Sequence, residues 1–186
     1  MRLTPLCLHL VPQLVAMASA VGTLGAQQPD DARCAVVDLL PDGVAAETVA
    51  ENTVRDIYAL LDSWRDALRE GNGERLTALV TETAEFWSHG AAPIRGRAAL
   101  ADAFAPFFGQ YDLLQDFECH ELVVRDDLAF MRGLERNRLL PHDGGDVVLV
   151  EQRAFSILRR APGGQWRFSR GMTNQPPTPE AEPPNR

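Results

Sequence analysis

Residues 117–140 read FECHELVVRDDLAFMRGLERNRLL, and the period of this stretch decides the fold class. β-branched and aromatic residues recur in it at a spacing near two, on either side of the turn signal Asp126-Asp127. A period of two sends successive side chains to opposite faces, so residues 117–125 and 128–140 are expected to be strands. The pattern continues downstream. Residues 147–160 and 165–173 are further strands, set apart by His142-Asp143-Gly144-Gly145 and by Pro162-Gly163-Gly164. Connections this short join antiparallel neighbours, so the segment predicts a four-stranded meander.

Upstream the period lengthens to between three and four. Val49, Ile57, Leu60, Leu61, Trp64 and Leu68 share one side of a helical wheel, while Glu51, Arg55, Asp62, Asp66 and Arg69 fall largely on the other. A long amphipathic helix is therefore expected from about residue 45 to 70, where Gly71-Asn72-Gly73 closes it. A short second helix over 74–80, a first strand over 83–88, a loop over 90–96 around Pro93 and a third helix over 97–108 complete the reading. The fold class is α+β: a cone-shaped barrel in which a curved antiparallel sheet wraps a long N-terminal helix, with two further short helices. One helix does not fill a strongly bent sheet, and the space left over is where such a domain would hold a small molecule.

The first 26 residues have Arg2 as their one charged side chain, then a leucine- and valine-rich run, and small-residue patterns ending at Ala20 and at Ala26. That is the layout of a signal peptide, so residues 1–26 are expected to be removed and the protein to be secreted or periplasmic. Residues 27–44 form a leader, 45–175 the folded domain and 176–186 a disordered proline-rich tail. About 160 of the 186 residues then remain, enough for one domain with a real core. The net charge of −8, one unit more negative without Arg2, argues against nucleic acid and against an anionic membrane surface as partners. Beyond Cys7, Cys34 and Cys119 either form one disulfide or leave Cys119 as a buried thiol on a strand. His89, His120 and His142 lack metal-ligand spacing, and no nucleotide-binding glycine loop or serine-hydrolase elbow is present. No metal and no cofactor is expected.

Residues 57–79 with Trp64 and the Gly71-Asn72-Gly73 break, Ala84-Glu85-Phe86-Trp87, the run Ile94 to Leu100, the Asp126–Phe130 hairpin and the closing segment from Gly164-Gln165-Trp166 to Met172-Thr173-Asn174 occur in one order. Together they resemble the SnoaL-like and ketosteroid-isomerase-like branch of the nuclear-transport-factor-two-like superfamily, over roughly residues 50–175. The resemblance implies a cone-shaped α+β barrel, a homodimer through the outer sheet face, and a pocket that relatives use for isomerisation, cyclisation, dehydration, epoxide hydrolysis or plain binding. Fold alone does not choose among these.

Where the isomerase base would fall, the chain reads Trp87-Ser88-His89, with no aspartate. His89 is the candidate replacement, since imidazole titrates near neutrality; a solvated loop histidine is the competing reading. Glu135 shares a strand face with Ala129, Met131 and Gly133, which would bury its carboxylate and require a partner, Arg153 or else Arg132 or Arg170. Glu118 and His120 share a face and are expected to point outward. Tyr58 on the first helix is a third acid-base candidate. Trp64, Trp87 and Met172 are expected as pocket walls, with Asn174 and Arg153 as polar contacts. Two function classes follow. One is a cofactor-independent enzyme acting on a small apolar organic molecule through His89, Glu135 and Tyr58. The other is a non-catalytic ligand-binding or dimerisation module of the same fold.

Overall fold

The computed structural model describes residues 51–176 and, upstream of them, the backbone of a two-residue strand. Helix α1, Glu51–Arg69, buries Ile57, Leu60, Ala67 and Leu68 and leaves its arginines and aspartates on the outer surface. Gly71 adopts φ 61° just beyond it, and the Gly71 and Asn72 amides donate to the Leu68 and Ala67 carbonyls, closing the last turn. Asn72 then caps helix α2, Gly73–Ala78, by accepting from the Arg75 amide. Helix α3, Gly96–Phe108, matches the expected third helix and tolerates Pro106 near its end.

Seven strands form one sheet: β1 (Ala35–Val36), β2 (Val80–Trp87), β3 (Ile94–Arg95), β4 (Tyr111–Arg125), β5 (Leu128–Pro141), β6 (Val148–Arg160) and β7 (Trp166–Asn174). Their order is β1-β4-β5-β6-β7-β2-β3, so the sheet is curved and unclosed, with the two shortest strands at its edges. The meander β4 to β7 is antiparallel as its turns required. β2 instead runs parallel to β7, and β1 parallel to β4. The second helix ends earlier than its apolar pattern implied: Val80, fully buried, opens β2 opposite Phe168. β4 begins six residues before the expected start, since Asp112, Gln115 and Asp116 interrupt its apolar pattern without interrupting its ladder with β5. β3 lies in the segment expected to be loop. The signal segment and all of the leader except β1 lie outside the described residues, as do residues 177–186 of the expected tail.

One core cluster joins Ile57 and Leu60 of α1 to Leu122, Val124, Ala129, Met131, Leu158 and Phe168 of the sheet. A second joins Ala67, Leu68 and Leu76 to Leu113 and Leu139. Trp64 packs against both, with its ring 4.8 Å from that of Phe168 and 6.1 Å from that of Phe86. α1 lies mainly on β4 and more lightly on β7, and α3 on β2 and β4, while Met131 and Leu139 of β5 and Leu158 of β6 are buried on the same concave face. Cys119, buried on the concave face opposite Gly133, is disulfide-bonded. No other cysteine is among the described residues, so its partner lies outside them.

Candidate functional site

The register of β4, β5 and β6 brings five side chains together on the concave face. Phe117 lies opposite Glu135, Glu135 opposite Gln152, Gln115 opposite Asn137. Directly opposed residues of an antiparallel pair share a face, and Ala129, Met131, Gly133 and Leu139 place this one toward the helices. Gln152 Nε2 donates to Glu135 Oε2 at 2.9 Å, and Gln115 Nε2 donates to Asn137 Oδ1 at 3.0 Å. With its oxygen so occupied, the Asn137 amide nitrogen is the group it can offer to Glu135. Burial pushes the Glu135 carboxyl above its ordinary range, and the two amide donors offset this only in part. Glu135 and Gln152 nevertheless keep partial contact with solvent, as residues at an open floor do.

This geometry corrects the pairing expected for Glu135. Its neighbours are neutral amides, because Arg153 falls one register position away, opposite Leu134 and Asn174, and side chains one position apart point to opposite faces. Arg132 is engaged with Glu121, and Arg170 donates to the carbonyls of Thr83 and Ser169. Among the described residues no cation contributes to the Glu135 environment.

The other candidates divide between the two sides of the sheet. Tyr58 and Trp64 are half-buried on α1 against the core. Trp87, Met172, Asn174 and Arg153 lie on the outer face, which corrects their assignment to one cavity with Trp64. On β7 the cause is a bulge. Phe168 faces the core, and simple alternation from it would carry residues 170, 172 and 174 inward. Ser169 is an extra residue in the ladder, because Leu158 pairs with Phe168 while Ile157 pairs with Arg170, and everything beyond it is turned over. His89 follows the end of β2, exposed and without a partner among the described residues. β2 and β5 are three strand steps apart, so His89 and Glu135 do not meet.

The outer face carries its own pattern. Trp87, Met172 and Phe155 are 51, 47 and 39% exposed and occupy one row across β2, β7 and β6. The Phe155 ring stacks on Phe130 at 5.6 Å. The Trp87 indole donates to Glu85 at 2.7 Å, and Glu85 also pairs with Arg95 at 3.0 Å; the indole bond, followed by Arg95, holds the Glu85 carboxyl below its usual range. Arg153, Asn174, Met172, Phe155, Leu134 and His120 border a shallow groove of about 240 Å³ beside this row. Beyond it the face is a ladder of ion pairs, Arg136 with Glu118 and Glu151, and Arg138 with Asp116. Glu118 and His120 both face outward, 3.1 Å apart, with His120 the extra residue of a bulge in β4. The amide pair Asn137 and Gln152 escaped sequence reasoning. Their one available signal was polarity at positions sharing the parity of buried apolar residues.

A comparison with curated proteins finds no match. Among solved structures the chain is similar to a ketosteroid isomerase-like protein from Erwinia carotovora atroseptica, at 20% identity and TM-score 0.59 over 67% of this chain and 96% of that one. It is similar to a nuclear transport factor 2-like superfamily protein from Salmonella enterica serovar Typhimurium, at 13% identity and TM-score 0.61 over 72% and 98%. A protein from Novosphingobium aromaticivorans named for scytalone dehydratase aligns at 17% identity and TM-score 0.60 over 73% and 95%. At these identities the likeness establishes the fold. The model of the SnoaL-like domain matches residues 61–168, more than half of the chain, and on that match the protein belongs to the SnoaL-like domain family.

Proposed function

We propose that this is an exported domain that binds a small, largely apolar organic molecule on the concave face of its sheet, with Glu135 as its acid-base group and no cofactor. The observation that carries this reading is the desolvated Glu135 carboxyl opposite Phe117 on the concave face, hydrogen-bonded by Gln152 and without a cation among the described residues. A carboxyl with a raised pKa exchanges protons closer to neutrality than an ordinary one, which suits proton transfer without a metal. Export is supported by the layout of residues 1–26 and by the disulfide at Cys119, a bond typical of oxidising compartments. A homodimer through the outer face is supported by the exposed row Trp87, Met172 and Phe155.

A second reading, a binding module without turnover, is favoured by one observation: His89, the expected base, lies three strand steps from Glu135 and leaves it without an acid-base partner. The test is a thermal-shift and NMR titration of the mature chain against apolar ring compounds, beside Glu135→Gln and Phe117→Ala, followed by a turnover assay on any binder. Saturable binding weakened in both variants is expected. Binding untouched by either variant removes the concave-face site; binding without turnover selects the module. Light scattering of wild type and Trp87→Asp tests the dimer, which the substitution is expected to dissociate; a monomeric wild type rejects it.

A further inference from the structure

The hydrogen bonds around Glu135 specify the charge of what it is built to meet. Gln152 presents its amide nitrogen to one carboxyl oxygen at 2.9 Å, and Asn137, two positions along the same face with its own oxygen taken by Gln115, has only its nitrogen to offer. Both neighbours are donors. A protonated carboxyl would want an acceptor for its hydroxyl, and neither amide is turned to offer one. The arrangement is thus a receptor for a carboxylate anion, complete except for a positive charge. Among the described residues, the strands set Gln152 from β6, Asn137 from β5 and Phe117 from β4 beside Glu135, with Gln115 behind; none of them titrates. The arginines of β5 and β6 near it, Arg132, Arg136, Arg138 and Arg153, all project to the opposite side of the sheet. A desolvated carboxylate without a counterion is costly, and Glu135, which keeps partial contact with solvent, is within reach of a molecule that supplies one.

We propose that the ligand of the concave site carries a basic nitrogen, whose ammonium group forms the ion pair with Glu135 that none of the described residues provides. This rests on the small-molecule site proposed above and names the chemistry of its occupant: an amine on an apolar, ring-containing body. Phe117, directly opposite Glu135, presents an aromatic ring beside the same point, and ring faces attract cations. Pairing returns Glu135 to its ionised form. Where the carboxyl enters the encounter protonated, binding releases one proton to solvent, and no bond to carbon forms or breaks.

The experiment is calorimetric titration of the full mature chain with three probes of one shape: 1-naphthylmethylamine, 1-acetonaphthone and 1-naphthoate. Each is run below neutrality in two buffers of different ionisation enthalpy. The amine is expected to bind about 10- to 100-fold more tightly than the ketone, the range of a charge-assisted hydrogen bond, with proton release that differs measurably between buffers. Glu135→Gln is expected to abolish the amine preference and the proton release, the amine losing far more affinity than the ketone. Ketone or naphthoate binding as tight as the amine in wild type overturns the amine assignment and leaves the concave site standing. An amine preference that survives in Glu135→Gln also overturns it, since the acidic surface then accounts for the attraction. Failure of all three probes to saturate, with Phe117→Ala indistinguishable from wild type, removes the concave site itself.

Discussion

Gly133→Ala is the sharpest test of the sheet geometry beneath Glu135. Gly133 lies opposite Cys119 at the bulge that His120 creates, and a Cβ there would stand 2.0 Å from the carbonyl oxygen of Glu118 and 3.0 Å from the Phe117 ring. Carbon and carbonyl oxygen are comfortable at about 3.3 Å, so one must retreat by roughly 1.3 Å. The obstacle is backbone in a hydrogen-bonded ladder and does not rotate aside. Overpacking costs about 1–3 kcal/mol, and a backbone clash of this depth belongs at the top of that range, about 3 kcal/mol. Gly171→Ala is the internal control. Its Cβ would meet a Phe86 ring carbon at 2.5 Å, but that ring can swing, which places the loss at about 1–2 kcal/mol. Urea unfolding of wild type and both variants reads the two losses, and a domain of this size converts each kcal/mol to about 3–5 °C in Tm. Gly133→Ala within about 0.5 kcal/mol of wild type, or milder than Gly171→Ala, would refute the bulged register.

Glu135→Gln is expected to flatten the fall of stability with rising pH. The folded carboxyl titrates above its ordinary value near 4.5, so the native state holds the proton more tightly. Its contribution is full below that value and lost as pH climbs through the folded pKa. Urea midpoints for both proteins from pH 4 to 8 check this, and parallel curves would refute it. His142 Nε2 donates to Asp112 at 2.9 Å, and this bond, ahead of the Gly109 backbone, raises the imidazole pKa; Asp112→Asn should move its NMR titration to lower pH. Leu122→Ala, at a fully buried position of the main core, is expected to cost about 2–5 kcal/mol in the same unfolding assay.

The parts of the fold legible in the sequence were those decided by local chemistry. Asp126 at φ 48°, Gly144 at φ 82° and Gly164 at φ 86° sit in the three meander turns that their residue types announced. The inward face of Glu135 followed from its parity with Ala129 and Met131. Facts that depend on partners far along the chain were not legible. Ser169 leaves no mark on the β7 pattern, yet it decides on which side Met172 and Asn174 fall, because it is extra only relative to β6. Val80 continues a helical apolar pattern and is claimed by a strand because Phe168 waits beside it. The amide companions of Glu135 required the register of three strands, which alternation within one strand does not fix.

The parallel pairing of β2 with β7 has a consequence in time. Val80 and Trp87 find their ladder only when Phe168 and Met172 arrive, Phe86 is paired on one side alone, with Ile94, and Trp64 lacks one of its ring neighbours until then. Contacts this distant in sequence form slowly, since a long loop must close before they stabilise anything. A chain emerging from the ribosome therefore holds its helices and first strand without a completed core until β7 has been made. The segment made first is thus the one least able to fold alone, and the last strand is the one that locks the helices in place.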